Sequence, residues 1–198
     1  MEVLEIFPEP LYKGKITFSD EELSSLASIR ASGEYSNTYG NTTSNDSTVL
    51  DRVDSLREKV QQHLNTYLDK VMGASGVSLE ITQSWMNFNE YNTSHHTHIH
   101  VNSIVSGVIY LSPNPAPFMV FRKQDNYPLR PLISKMTPYN SPMRSIDVEQ
   151  GDIILFPSQT PHGVNVNNTR ETRISLAFNT FYKGVLGSKK NLTHLEIL

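Results

Sequence analysis

Met72-Gly73-Ala74-Ser75-Gly76-Val77-Ser78-Leu79-Glu80-Ile81 is where the hydrophobic period of this chain changes. Upstream, Val49, Val53, Leu56, Val60, Leu64, Leu68 and Met72 recur at steps of three and four, the stripe of an amphipathic helix over 49–72. Asp46 or Ser47 is placed to cap that helix and Gly73 to end it. Downstream of Gly76 the period is two. Val77, Leu79 and Ile81 alternate with polar residues and predict a strand to about Phe88.

Working outward, Ser19-Asp20-Glu21-Glu22 reads as a capping box opening a short helix to about Arg30. Residues 32–48, rich in Ser, Asn, Thr and Gly, read as an exposed loop. Toward the C-terminus, strands are predicted at 103–112, 118–123, 145–149, 152–156, 162–166 and 173–182. Turn residues such as Pro113-Asn114-Pro115 and Gln150-Gly151-Asp152 separate them. Helices followed by many short strands give an α+β, mainly β class, a sandwich or barrel with packed helices. One domain over 1–198 is expected, helical over 1–75 and β over 76–185.

Composition narrows the function. A chain of 198 residues with 37% hydrophobic residues supports one real core. A formal net charge of −3 argues against binding driven by nucleic-acid phosphates. With no cysteine, disulfides, thiolate metal sites and cysteine nucleophiles are excluded. No apolar run approaches the ~18 residues a membrane helix needs. The acidic N-terminus lacks a basic leader region, so a cytosolic location is expected.

Two patterns carry chemistry. Four of seven histidines, His95, His96, His98 and His100, fall within six positions. In an extended segment His96, His98 and His100 share a face, and an H-x-H pair there grips one metal ion. His162, opening a predicted strand after Phe156-Pro157, is the best third ligand; His63 and His194 read as ordinary. Three imidazoles are also a known zinc set, and a loop of solvated histidines is the plain alternative. The second pattern is Arg173-Ile174-Ser175. Alternation puts Arg173, Ser175, Ala177 and Asn179 on one face, and Ile174, Leu176 and Phe178 on the other. A tight turn at Asn167-Asn168 would set His162 opposite Arg173 as cross-strand partners. A guanidinium fork beside a hydroxyl suits a carboxylate ligand, with a surface pairing to Glu171 as the bland alternative.

These residues resemble the 2-oxoglutarate and Fe(II)-dependent oxygenases, specifically a small family common in marine bacteria and tailed phages. The resemblance rests on Ser84-Trp85-Met86-Asn87, on His98-Ile99-His100 running into Ser106-Gly107-Val108-Ile109-Tyr110-Leu111, and on Gly151-Asp152 through Phe156-Pro157-Ser158. It continues through His162 and Arg173-Ile174-Ser175 to Asn179. Ile6-Phe7-Pro8 and Pro10-Leu11-Tyr12 also look like that family's N-terminus. It implies a double-stranded β-helix, or jelly roll, with supporting N-terminal helices. It implies Fe(II) held by His98, His100 and His162, and 2-oxoglutarate held at its far carboxylate by Arg173 and Ser175. Tyr110 is implied as a further hydroxyl to that co-substrate. Dioxygen is then consumed, with hydroxylation of a small-molecule or peptidyl substrate as the default outcome.

The pattern departs from the common H-x-D/E, with His100 where most such enzymes carry a carboxylate. His96-Thr97-His98 has the same spacing and competes with the 98/100 pair. Trp85, Asn87, Asn89 and Asn102 are candidates for the mouth, although Trp85, from its place in an alternating strand, reads as core. Residues 113–144 read as an edge strand followed by a substrate-side loop. Other readings are a three-histidine cupin-type enzyme without 2-oxoglutarate and a non-catalytic jelly-roll module. A homodimer fits the family, but nothing in the sequence requires it.

Overall fold

The computed structural model describes residues 2–6, 8–36, 42–113, 115–121 and 132–198. Phe7 of the N-terminal resemblance and 122–131 of the proline-rich region lie outside them. Helix α1 spans Asp20–Ala31 and begins with the expected capping box. Ser19 Oγ accepts from the Glu22 amide, and the Glu22 carboxylate accepts from the Ser19 amide. Glu22 is 1% exposed and continues to Ser55 Oγ and Lys59 Nζ, both at 2.8 Å, so the cap also ties α1 to the next helix.

The helix expected over 49–72 is three segments. A 3₁₀ turn at Val49–Arg52 precedes α2, Asp54–Tyr67, and a π turn at Leu68–Met72 follows it. Asp46 does not cap α2; its carboxylate accepts from the amide and hydroxyl of Thr48. The N-cap is Val53, without a side-chain bond. Gly73 does end the run, at φ +60°, which glycine adopts without strain.

Among the described residues, twelve strands follow the chain: β1 Tyr12–Lys15, β2 Glu34–Ser36, β3 Thr42–Ser44, β4 Val77–Asn89, β5 His95–His98, β6 Val105–Tyr110, β7 Phe118–Phe121, β8 Met143–Ile146, β9 Asp152–Pro157, β10 His162–Val164, β11 Arg173–Leu186 and β12 Leu195–Ile197. They form two antiparallel sheets, a jelly roll. The major sheet runs β1-β9-β6-β11-β4-β3-β2, with β12 on the far end of β11, and the minor sheet runs β5-β10-β7-β8. The exposed loop expected over 32–48 is overturned where it is described. β3 pairs with β4, and buried Ser44 accepts from the Met86 amide, so polar pairing makes a strand that hydropathy does not signal.

Alternation sorts the major sheet into two faces. Ile153, Leu155, Leu176 and Phe178 meet Leu56, Val60 and Leu64 of α2 in one apolar core. Ile154 and Phe156 face the minor sheet and meet Phe118 and Tyr110. Gly107 lies opposite Phe178 in register, and a Cβ there would sit 2.2 Å from that ring, so only glycine fits.

A β-bulge lies in the middle of β4. Asn179 pairs with Gln83 and Thr180 with Ile81, which leaves Thr82 as the extra residue. The bulge reverses the parity of the strand. Before it Leu79 and Ile81 face the helices; after it Met86 and Phe88 do. The expected hairpin between β10 and β11 is also overturned. β10 pairs with β5 and β7 in the minor sheet, whereas β11 pairs with β4 and β6 in the major one. Arg173 lies opposite Asn89, not His162. Asn167 makes a local turn, its Oδ1 accepting from the Thr169 amide at 3.0 Å, but not a hairpin turn between β10 and β11. Fully buried, it donates through Nδ2 to the carbonyls of Asn89 and Glu171.

Candidate metal centre and co-substrate pocket

His98 and His162 are cross-strand partners at the inner edge of the minor sheet. His100 lies two residues past the end of β5. Its amide donates to Ser158 O at 2.9 Å and its carbonyl accepts from Gln159 Nε2 at 3.1 Å. The three rings stand 4.4–5.1 Å apart between centroids, and one nitrogen of each falls within 4.8 Å of the others. Among the described residues this is the one such cluster, and neither His96 nor a carboxylate belongs to it.

Two of the rings have fixed tautomers. His98 Nδ1 lies 2.9 Å from His96 O, and His162 Nδ1 lies 2.9 Å from Thr160 O. A carbonyl only accepts, so each Nδ1 carries the proton and each Nε2 keeps its lone pair free. Burial, reinforced by the neighbouring imidazoles, holds His100 at about 3 and His162 at about 4, and pushes His98 below the usual range. All three are therefore neutral at pH 7, the form that ligates a metal. Phe156 lies 4.5 Å from His162 and Phe118 lies 5.4 Å from it, an apolar wall behind the rings.

The other wall comes from the major sheet. Asn87, Ser175 and Tyr110 stand in register across β4, β11 and β6, with Arg173 and Asn89 paired in the row beyond. All five line one cavity, open to solvent, which the three imidazoles also line. Arg173 Nη1 donates to Asn165 O at 3.1 Å, but its Nε is buried with no partner. Among the described residues no carboxylate pairs with it, which sets aside the Glu171 alternative. Burial lowers its pKa. Tyr110 Oη is likewise buried without a partner, and burial pushes its pKa up, so the group remains an O–H donor. Ordinary folds satisfy such groups. Orphaned donors on one cavity wall, opposite three free nitrogen lone pairs, fit an anionic ligand that also meets a metal.

Trp85 corrects the core reading. The Thr82 bulge turns it into the cavity, half-buried, 5.9 Å from the His100 ring, with its indole N–H donating to Asn87 Oδ1 at 3.1 Å. Asn87 and Asn89 line the cavity as expected; Asn102 does not, being a turn residue at φ +57°. Sequence reading passed over Phe118, Phe156 and the role of His95. His95 lines the cavity with its ring stacked 4.7 Å from His98, and burial holds it at about 3. Parity along 95–100 puts His95 off the ligand face, so the sequence signal opposed it. His63 is half-buried and bonded to Tyr12 Oη at 2.7 Å, away from the cavity, and His194 is exposed.

Residues 83–179 match the family model described as "Putative 2OG-Fe(II) oxygenase". No curated protein sequence matches the chain significantly. Several solved structures share its fold. A 2OG-Fe(II) oxygenase family oxidoreductase from Burkholderia pseudomallei is 14% identical, covering 86% of this chain and 83% of its own at a TM-score of 0.58. HygX from Streptomyces hygroscopicus, with nickel, 2-oxoglutarate and hygromycin B bound, is 13% identical over 87% and 82%, at 0.57. A prolyl-4-hydroxylase from Pseudomonas putida is 12% identical over 86% and 92%, at 0.54. The matched region, residues 83–179, just under half of the chain, is thus that of a putative 2OG-Fe(II) oxygenase, a family of oxidoreductases whose description names the metal and co-substrate that the sequence pattern implies.

Proposed function

We propose that His98, His100 and His162 hold Fe(II), that Arg173, Ser175 and Tyr110 hold the far carboxylate of 2-oxoglutarate, and that the reaction is a hydroxylation. Written in full, a substrate C–H, dioxygen and 2-oxoglutarate give the alcohol, succinate and carbon dioxide. The observation that carries the reading is the convergence of three free imidazole nitrogens with an orphaned guanidinium and phenol on one cavity. When bound, the iron activates dioxygen for oxidation of both co-substrate and substrate.

The chain's own residues bind, orient and exclude water. The carbonyls of His96 and Thr160 lock two ligands in the metal-binding tautomer. Phe118 and Phe156 keep water from the back of the rings. Three neutral ligands leave the charge of a divalent ion uncompensated, which strengthens its hold on an anionic co-substrate. Arg173 supplies the second positive anchor, and a two-ended anchor fixes orientation. Trp85 and His95 border the remaining space, where substrate enters.

Anaerobic titration of Fe(II)-loaded protein with 2-oxoglutarate tests this, read by the weak visible charge-transfer band of the chelate. The band is expected in the parent. Arg173→Ala should need at least tenfold more co-substrate to produce it. No band in the parent, or an unchanged midpoint in the variant, contradicts the proposal.

A further inference from the structure

Ser158 is tied to the segment carrying His100 by three hydrogen bonds. Its carbonyl accepts from the His100 amide at 2.9 Å, its amide donates to Ile104 O at 3.0 Å, and its hydroxyl donates to Ser103 Oγ at 2.7 Å. His100 lies outside the β5 ladder, so no sheet pairing fixes it. Asn102 at φ +57° bends the same segment, a left-handed turn conformation that asparagine tolerates.

Behind Ser158 lies a buried hydroxyl cluster. Ser106 Oγ stands 2.8 Å from Ser158 Oγ and donates to Asn179 Oδ1 at 2.8 Å. Ser103 Oγ donates to Thr180 O at 3.2 Å, and Thr180 Oγ1 donates to Val105 O at 2.7 Å. None of the five residues is more than 8% exposed. Asn179 and Thr180 face the β4 bulge, so the cluster sits where the sheet is already irregular. Apolar side chains would fill such a site without the need to satisfy each group. A polar network kept at that cost fixes one geometry, and here that geometry is the position of the His100 segment.

We propose that Ser158, backed by Ser103 and Ser106, is the positioning residue for His100, and that this hydroxyl cluster sets metal affinity from outside the ligand shell. The inference rests on His100 being a metal ligand. Groups that orient ligands in this way typically contribute ~10–100-fold in metal affinity.

The test compares Ser158→Ala with Ser84→Ala. Ser84 is equally buried, and its hydroxyl accepts from the Leu50 amide on the helix side of the sheet, away from the cavity. Both variants lose stability. Mn(II) affinity by calorimetry and the visible spectrum of Co(II)-loaded protein separate the two roles. Ser158→Ala should bind Mn(II) at least tenfold more weakly and show an altered Co(II) spectrum, and Ser84→Ala should match the parent in both. If Ser158→Ala does not fold, Ser103→Ala carries the same expectation. Parent-like metal binding in the Ser158 or Ser103 variant, or an equal loss in Ser84→Ala, overturns the inference alone. A parent that takes up no metal overturns the metal-centre reading along with it.

Discussion

The two faces of strand β11 are built to different rules. Leu176 and Phe178, on the helix side, are fully buried in apolar surroundings. Arg173 and Ser175, interleaved with them, face a cavity where the guanidinium Nε and the nearby Tyr110 hydroxyl go unsatisfied. One face carries stability and the other leaves polar groups waiting for a ligand. Strand period puts the two roles side by side, so a single-residue shift exchanges them.

That exchange gives the largest expected effect. Exchanging the neighbours Ser175 and Leu176, as Ser175→Leu with Leu176→Ser, would put a hydroxyl at a fully buried apolar position and leave the space of a leucine empty there. Loss of cooperative folding is expected, read by circular dichroism during urea unfolding; a native-like transition would break the two-face account. Leu64→Ala, on the helix side and fully buried, should cost ~2–5 kcal/mol of stability, yet the protein that remains folded should bind metal as the parent does. Arg173→Ala should reverse that pattern. Co-substrate binding falls at least tenfold, while the urea midpoint changes little, because among the described residues the guanidinium's hydrogen bond is to Asn165 O alone.

Acid sharpens the comparison further. An imidazole held below its ordinary pKa refuses a proton that the unfolded chain accepts. Stability of the metal-free protein is then full above about 6.5 and declines as pH falls toward the folded values of about 3 for His95 and His100 and about 4 for His162. On the helix side, burial pushes Glu22 up, but hydrogen bonds from Lys59, Ser19 and Ser55 outweigh it and the net shift is down. Its contribution is lost only below the ordinary carboxylate range, ~4. Urea midpoints of the metal-free protein should therefore fall in two stages. Replacing the cavity histidines with Gln should flatten the upper stage and leave the lower one.

Periodicity made most of this legible. The Ser19–Glu22 cap, the α2 stripe and the strands after Gly76 follow from spacing, as does the face shared by Arg173 and Ser175. Spacing cannot name a strand's partner, so β10 and β11 were expected to pair with each other although each joins a different sheet. A bulge is likewise invisible to strict alternation, and Thr82 is why Trp85 belongs to the cavity. β2 and β3 escaped notice because β3 is held by hydrogen bonds rather than an apolar face. The choice of His98 and His100 over His96 came from family pattern; local spacing left both open, and the chain's turn after β5 decides which rings meet His162.

Calorimetric titration of Mn(II) into the parent and five single alanine variants, at His95, His96, His98, His100 and His162, tests the central claim most directly. The account predicts one site per chain, lost in the variants at His98, His100 and His162 and kept in those at His95 and His96. Full binding in His100→Ala, or loss in His96→Ala, would contradict it.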